Sequence, residues 1–302
     1  MADATAVREV LTHPLARVRP PDAAVPPGLV GTIAGDVFAR LARTTDGADH
    51  RSSRDRLARH LDALDAATVD EAGDAIAASL HRDSDPATIV AWWSRRFPLG
   101  VVARLCGMDH ARLDELAADV SVIAAAFGPA SIGVEPTRLD AAVERVLARA
   151  GGTALEPTDA LGLLIQTLDA TAALVTAGIV RATSTCMLLD GRQAVADVMA
   201  TEPPVRNTRR WFHADATVSG HRFHGGDGVL LVLVDDPALA FGDGHHRCPA
   251  SGWAPVIAAR AVDRALAELA ALTGSTCVPP IRVTGWLPSP NTRCPVLGHE
   301  QH

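Results

Sequence analysis

Phe241-Gly242-Asp243-Gly244-His245-His246-Arg247-Cys248-Pro249-Ala250 is the stretch on which the reading of this chain turns, and an alanine-rich amphipathic run to about Leu272 follows it. The glycines on either side of Asp243 permit a tight loop, which leads a cysteine towards an expected helix start. A helix N-terminus offers free backbone N–H groups and a positive dipole end, favouring the thiolate, the form of cysteine that binds metals. Two plainer readings stand beside a thiolate ligand. One is a buried structural cysteine. The other is a zinc site built from His245, His246 and Cys248, with His221 and His224 as further candidates.

Composition narrows the class. With 302 residues and 48% hydrophobic content, the chain can bury a large core in one or two domains. Its 28 basic and 35 acidic residues give a net charge of −7, so nothing draws it generally to nucleic acid or to an anionic membrane. Five cysteines, odd in number, scattered and without a C-x-x-C pair, argue against a disulfide framework and for a reducing compartment. The N-terminus shows no apolar signal region, so a cytoplasmic location is expected.

Apolar periodicity predicts helices from Thr5 to Leu11, Thr32 to Arg43 and, after the Asp46-Gly47 cap signal, on to Leu61. Further helices are expected from Thr68 to Leu80, Pro86 to Arg96, Pro98 to Cys106, His110 to Ala126, Pro136 to Ala150 and Gln193 to Thr201. His50 and Arg54 stand four apart on one helix face, either as part of a solvated basic face with Arg51, Arg56 and Arg59 or as an anion site. From Ala160 to Val180, twenty-one residues carry Asp169 as their only charge, which is long enough to cross a bilayer. Gln166, Thr167, Asp169, Thr171 and Thr176, with no basic residues flanking one side, point instead to a buried central helix. A lone buried carboxylate is costly without a partner, so Asp169 marks function on that expectation. After Pro203-Pro204, turn signals separate strands at Thr217 to Ser219, His221 to His224 and Val229 to Val234.

Phe241-x-x-Gly244-x-x-x-Cys248-x-Ala250 resembles the haem-binding loop of the cytochromes P450, with Ala250 in place of the usual final glycine. The resemblance implies haem b, with Cys248 as axial thiolate and Phe241 in the cofactor-binding loop. Asp46 to Arg54 is similar to the family's helix C, implying that His50 and Arg54 hold one propionate. Arg210, five residues before Asp215, and His246 match further propionate-binding positions. Leu163 to Thr171 looks like helix I, which makes Asp169 the acid of a proton relay. The partnering alcohol position holds Ala170, with Thr171 one step further round, and Gln166 and Thr167 replace the usual small residues; Gln166 and Thr171 join Asp169 as catalytic candidates. Trp286-Leu287-Pro288-Ser289-Pro290 and Pro295-Val296-Leu297 resemble the closing β segments. The implied fold is mainly α with small β-sheets, a reduced P450 fold over 1–302 as a single domain, shortened in its N-terminal, distal-roof and meander regions.

The helix K Glu-x-x-Arg positions hold Asp197 and Ala200, and only Asp235 to Ala240 stands where the meander should be. A buried ion-pair set lost as a whole can be nearly neutral, so the joint loss reads as a coherent reduced scaffold. The resemblance implies a haem-thiolate oxidoreductase of the monooxygenase type, acting on an apolar small molecule in secondary metabolism. Electrons would come from an acidic ferredoxin-type donor docking near Arg247 and Arg59. Ala170, Gln166 and the thin distal roof favour an alternative, haem-thiolate chemistry of a peroxide-dependent, isomerase or dehydratase kind. A non-catalytic helper of a partner enzyme is a third reading, against which the retained Cys248 speaks. Apolar surface left by the deletions is expected to support a homodimer or a partner chain that completes the pocket.

Overall fold

The structure, a computed structural model, describes residues 1–79, 85–128, 134–184, 189–274, 278–287, 289 and 291–298. Leu80, Pro129, Cys186, Cys277, Pro288 and Pro290, which enter the expectations above, lie outside the described residues. As expected, the chain is mainly helical with small antiparallel sheets. Its contacts divide into two units, each with its own apolar core.

The first unit comprises Met1–Ala63, Asp119–Gly162 and Val205–Pro249. Asp3 caps the Ala4–Thr12 helix by accepting from Ala6 N at 2.8 Å. Val7, Val10 and Leu11, at helical spacing, bury one face of it in a cluster with Phe212, Leu231, Leu233 and Leu239. Those partners come from a three-stranded antiparallel sheet, with Asn207–Phe212 at its centre between Ala16–Arg17 and Gly228–Val232, and from the chain just beyond it. The helix expected from Thr32 to Arg43 is only Ile33–Phe38, and Thr44 Oγ1 caps the turn beyond it by donating to Leu41 O at 3.0 Å. The Gly47–Asp62 helix matches its expectation. Buried Asp159 clasps this helix, accepting from Ser53 Oγ and, at 2.7 Å, from Arg56 Nε.

The second unit comprises Leu64–Ala118, Leu163–Pro204 and Ala250–His302. Its core joins Val69, Ile76, Trp93, Phe97, Val175, Ile179, Val195, Val262 and Leu269. The helices Ala172–Ser184 and Trp253–Thr273 pack closely because Gly178 leaves room: a Cβ there would lie 2.9 Å from Val262 Cγ2. Two helices were expected on either side of Pro98, yet residues 86–105 run as one, widened to a π-helical turn at Trp92–Arg96. The wider turn lets Phe97 N reach Trp92 O, so the missing proline N–H breaks nothing. Trp93 is buried, its Nε1 donating to Glu268 at 2.7 Å. Strands Arg282–Trp286 and Pro295–Gly298 close the chain as an antiparallel pair.

One expectation needs correction, the burial of Asp169. The helix after the cysteine loop is Trp253–Thr273, and Ala254 N already donates to Ala250 O at 2.9 Å, so helical bonding starts two residues beyond Cys248, as expected. The long apolar helix spans Pro157–Ser184, and 67% of its apolar window is buried, which is the burial of a core helix. Yet Gln166 and Asp169 are exposed, so Asp169 pays no desolvation penalty. Asp197, at the first helix K position, is paired: Arg181 Nε donates to its Oδ2.

Candidate functional site

The cysteine loop is built from short backbone bonds. Gly242 N donates to Leu239 O at 2.7 Å, Arg247 N to Gly244 O at 3.1 Å and Cys248 N to Phe241 O at 2.9 Å. Gly242 and Gly244 have φ of 71° and 67°, a region that glycine enters freely. Asp243 Oδ1 accepts from Gly244 N at 2.8 Å. Arg8 of the N-terminal helix then bridges Asp236 Oδ2 at 2.6 Å and Asp243 Oδ2 at 3.2 Å. One arginine from the start of the chain thus ties down both the abbreviated segment before the loop and the loop itself. Cys248 is half-buried.

Basic side chains from three segments gather around this loop. His50 lies on the Gly47–Asp62 helix, its ring centre 4.1 Å from that of His246 and 5.4 Å from that of His245. Asp46 stands between the histidines: its Oδ1 accepts from His246 Nε2 at 3.1 Å and lies 3.5 Å from His245 Nε2. Its Oδ2 accepts from Val18 N at 3.2 Å. Asp46 occupies the N-cap position of its helix but makes no capping bond, because its oxygens are turned to these partners. Arg210, from the central strand, is 5% exposed. Its Nη1 donates to Arg209 O at 2.8 Å and to Thr208 Oγ1 at 3.3 Å.

Burial works to raise the Asp46 carboxyl, but bonds from His246, Val18 N–H and His245 outweigh it and bring it to about 2. Burial lowers His50, helped by repulsion from His246, His245 and Arg54, to about 4. Burial likewise lowers His246, against the pull of Asp46. Burial lowers Arg54 and Arg210 as well, opposed by Cys248 and Asp46 respectively, although guanidinium groups stay charged. At neutral pH the cluster therefore holds two neutral imidazoles and two partly desolvated cations around one carboxylate. His50 Nε2 and Arg210 Nε are buried and have no hydrogen-bond partner. A buried polar group without a partner is costly, and both of these nitrogens belong to side chains that act on Asp46 and His246, a setting that an anionic group would satisfy.

Phe241, His50, Arg54, Arg210, His246 and Cys248 all lie in the first unit, as do the bonds just described. Gln166, Asp169 and Thr171 lie in the second, at the π-helical turn Thr167–Thr171. There Gln166 and Asp169 are exposed while Thr171 is 7% exposed, so the three do not share one open face. The zinc set expected from the sequence does not assemble. Among the described residues, the metal-capable group is Asp46, His245 and His246, without Cys248. His221 opens the strand His221–Phe223 and His224 follows it, both exposed, and His224 Nδ1 meets Asp215 at 3.3 Å. Asp46 is the site residue the sequence did not single out: an aspartate before a helix reads first as a cap.

No protein-family model matches the sequence, and no curated protein matches it. Solved structures do. P450BioI in complex with an acyl carrier protein ligated to hexadec-9Z-enoic acid is 16% identical at a TM-score of 0.69, covering 96% of this chain and 88% of that one. P450 RauA, complexed with a biosynthetic intermediate of aurachin RE, is 18% identical at 0.69, covering 98% and 89%. A thermophilic cytochrome P450 from Sulfolobus tokodaii is 15% identical at 0.66, covering 97% and 90%.

Proposed function

Proceeding from the cytochrome P450 fold that this chain adopts, we propose that it is a haem-thiolate oxidoreductase acting on an apolar small molecule. The observation that carries the proposal is the pair of partnerless buried nitrogens, His50 Nε2 and Arg210 Nε, on side chains that gather at the cysteine loop. Carboxylate arms of a haem fit that deficit, and Cys248 would hold the iron. When bound, such a group supplies oxidative chemistry at an iron made electron-rich by the thiolate. His50, Arg54, Arg210 and His246 would orient it by its carboxylates, while the Phe241–Cys248 bond and the Arg8 bridge keep the sulfur in place. Asp169 would pass protons inward from solvent, with Gln166 beside it on the exposed face. Arg59 and Arg247, both exposed, would meet an acidic electron donor. The bound molecules of P450BioI and RauA support an apolar biosynthetic substrate class.

Ala170 at the alcohol position and the inward burial of Thr171 favour a second reading, thiolate-haem chemistry that needs no hydroxyl relay, such as use of peroxide. Turnover with peroxide but not with reductant and oxygen would select it.

Arg210→Leu tests the haem reading. A buried cation with an unsatisfied Nε is poor for stability, so leucine is expected to leave the thermal midpoint unchanged or higher. Haem affinity, followed by haemin titration of the apoprotein, should fall at least tenfold, about 1.4 kcal/mol. Lower stability with unchanged haem affinity would make Arg210 a structural residue and remove the proposal's main support.

A further inference from the structure

We propose that Asp46, His245 and His246 form a binding site for a divalent transition-metal ion of the class imidazole nitrogen prefers, with Zn²⁺ as the probe. The Asp46 oxygen lies 3.1 Å from His246 Nε2 and 3.5 Å from His245 Nε2, and the three ligand atoms lie within 4.8 Å of one another. Ligands about 2.0–2.1 Å from a tetrahedral ion stand about 3.4 Å apart, which the two Asp46–histidine separations match, and rotation of the exposed His245 side chain would bring the third nitrogen within reach. Two imidazoles and a carboxylate with an open fourth position form a donor set that zinc and its neighbours accept.

The support around the site fits the same purpose. Val18 N–H holds the other Asp46 oxygen, which turns Oδ1 towards the histidines. His50, 2% exposed, packs its ring against His246 and so fixes that imidazole's position. The His245 side chain is 44% exposed, giving an ion a way in. Arg54 and Arg210 act on the same cluster and oppose a further cation, so moderate rather than tight affinity is expected.

This inference shares His246 with the haem reading but does not rest on it, because Asp46 and His245 have no part there. The experiment uses untagged full-length protein with its haem content recorded, titrated with Zn²⁺ by calorimetry and checked by metal analysis after dialysis. Expected is about one Zn²⁺ per chain, weakened at least tenfold in His245→Ala and in Asp46→Asn, and unchanged in His224→Ala, the control for an ordinary surface histidine. His245 is exposed enough for its alanine variant to fold, which circular dichroism verifies. Stoichiometric binding that survives His245→Ala, or no stoichiometric binding at all, overturns the site. Colourless protein that binds Zn²⁺ through His245 supports it and sinks the haem reading alone. Haem-replete protein that binds no Zn²⁺ does the reverse.

Discussion

Gly244→Ala is expected to destabilise the chain by about 2–4 kcal/mol and to release the cysteine loop from the N-terminal helix. Gly244 has a φ of 67°, where a residue with a Cβ loses roughly 1–2 kcal/mol. Its environment adds to this. A Cβ would stand 2.9 Å from Leu11 O and 3.2 Å from Thr12 Cγ2, and the nearer neighbour is backbone at a helix end, which cannot swing away. Gly242 provides the internal comparison, with a φ of 71° and nothing within 4 Å of a Cβ. Gly242→Ala should therefore lose only the conformational part, about 1 kcal/mol. Urea unfolding of the two variants measures the difference. Equal losses would show that the close approach to Leu11 does not set the requirement at Gly244.

Asp159→Ala is expected to lose about 2–3 kcal/mol, because it removes the acceptor that Ser53 and Arg56 share. The Asp159 side chain is 1% exposed while that of Arg56 is 37% exposed, so the arginine can turn to water but the buried Ser53 hydroxyl cannot. That asymmetry keeps the loss at the lower end for a broken buried pair. Adding Ser53→Ala should recover part of it, since no orphaned hydroxyl then remains. The clasp holds the helix that carries His50 and Arg54, so haem retention should fall together with the unfolding midpoint. A double variant less stable than Asp159→Ala alone would contradict this account of the clasp.

How much was legible beforehand depended on whether a residue's job matched its chemical type. Gly242 and Gly244 announced a tight loop, and positive φ at both is what the structure requires of them. His50 and Arg54 are four apart on a regular helix, so spacing alone put them on one face. Asp46 was hidden because its position suits a helix cap, and only the folded chain turns its oxygens to Val18 and two histidines 199 and 200 residues away. Asn207–Phe212 was missed because Asn207, Thr208, Arg209 and Arg210 are polar in a row, so no alternation shows; pairing along both edges makes it a strand. In the run from Ala160 to Val180, Gln166 and Asp169 stand three apart and so share a helix face, and their polarity was the signal for the exposure that the folded helix gives them. Asp197 took its partner from Arg181 on the preceding helix, a contact between elements that no local motif encodes.

The most direct measurement is the absorption spectrum of the reduced, carbon monoxide-treated protein beside that of Cys248→Ser. The native chain should show the red-shifted Soret band that a thiolate-ligated ferrous haem gives, and the serine variant should lack it. A colourless native protein supplied with haemin, or a red-shifted band that persists without the Cys248 sulfur, would contradict the assignment.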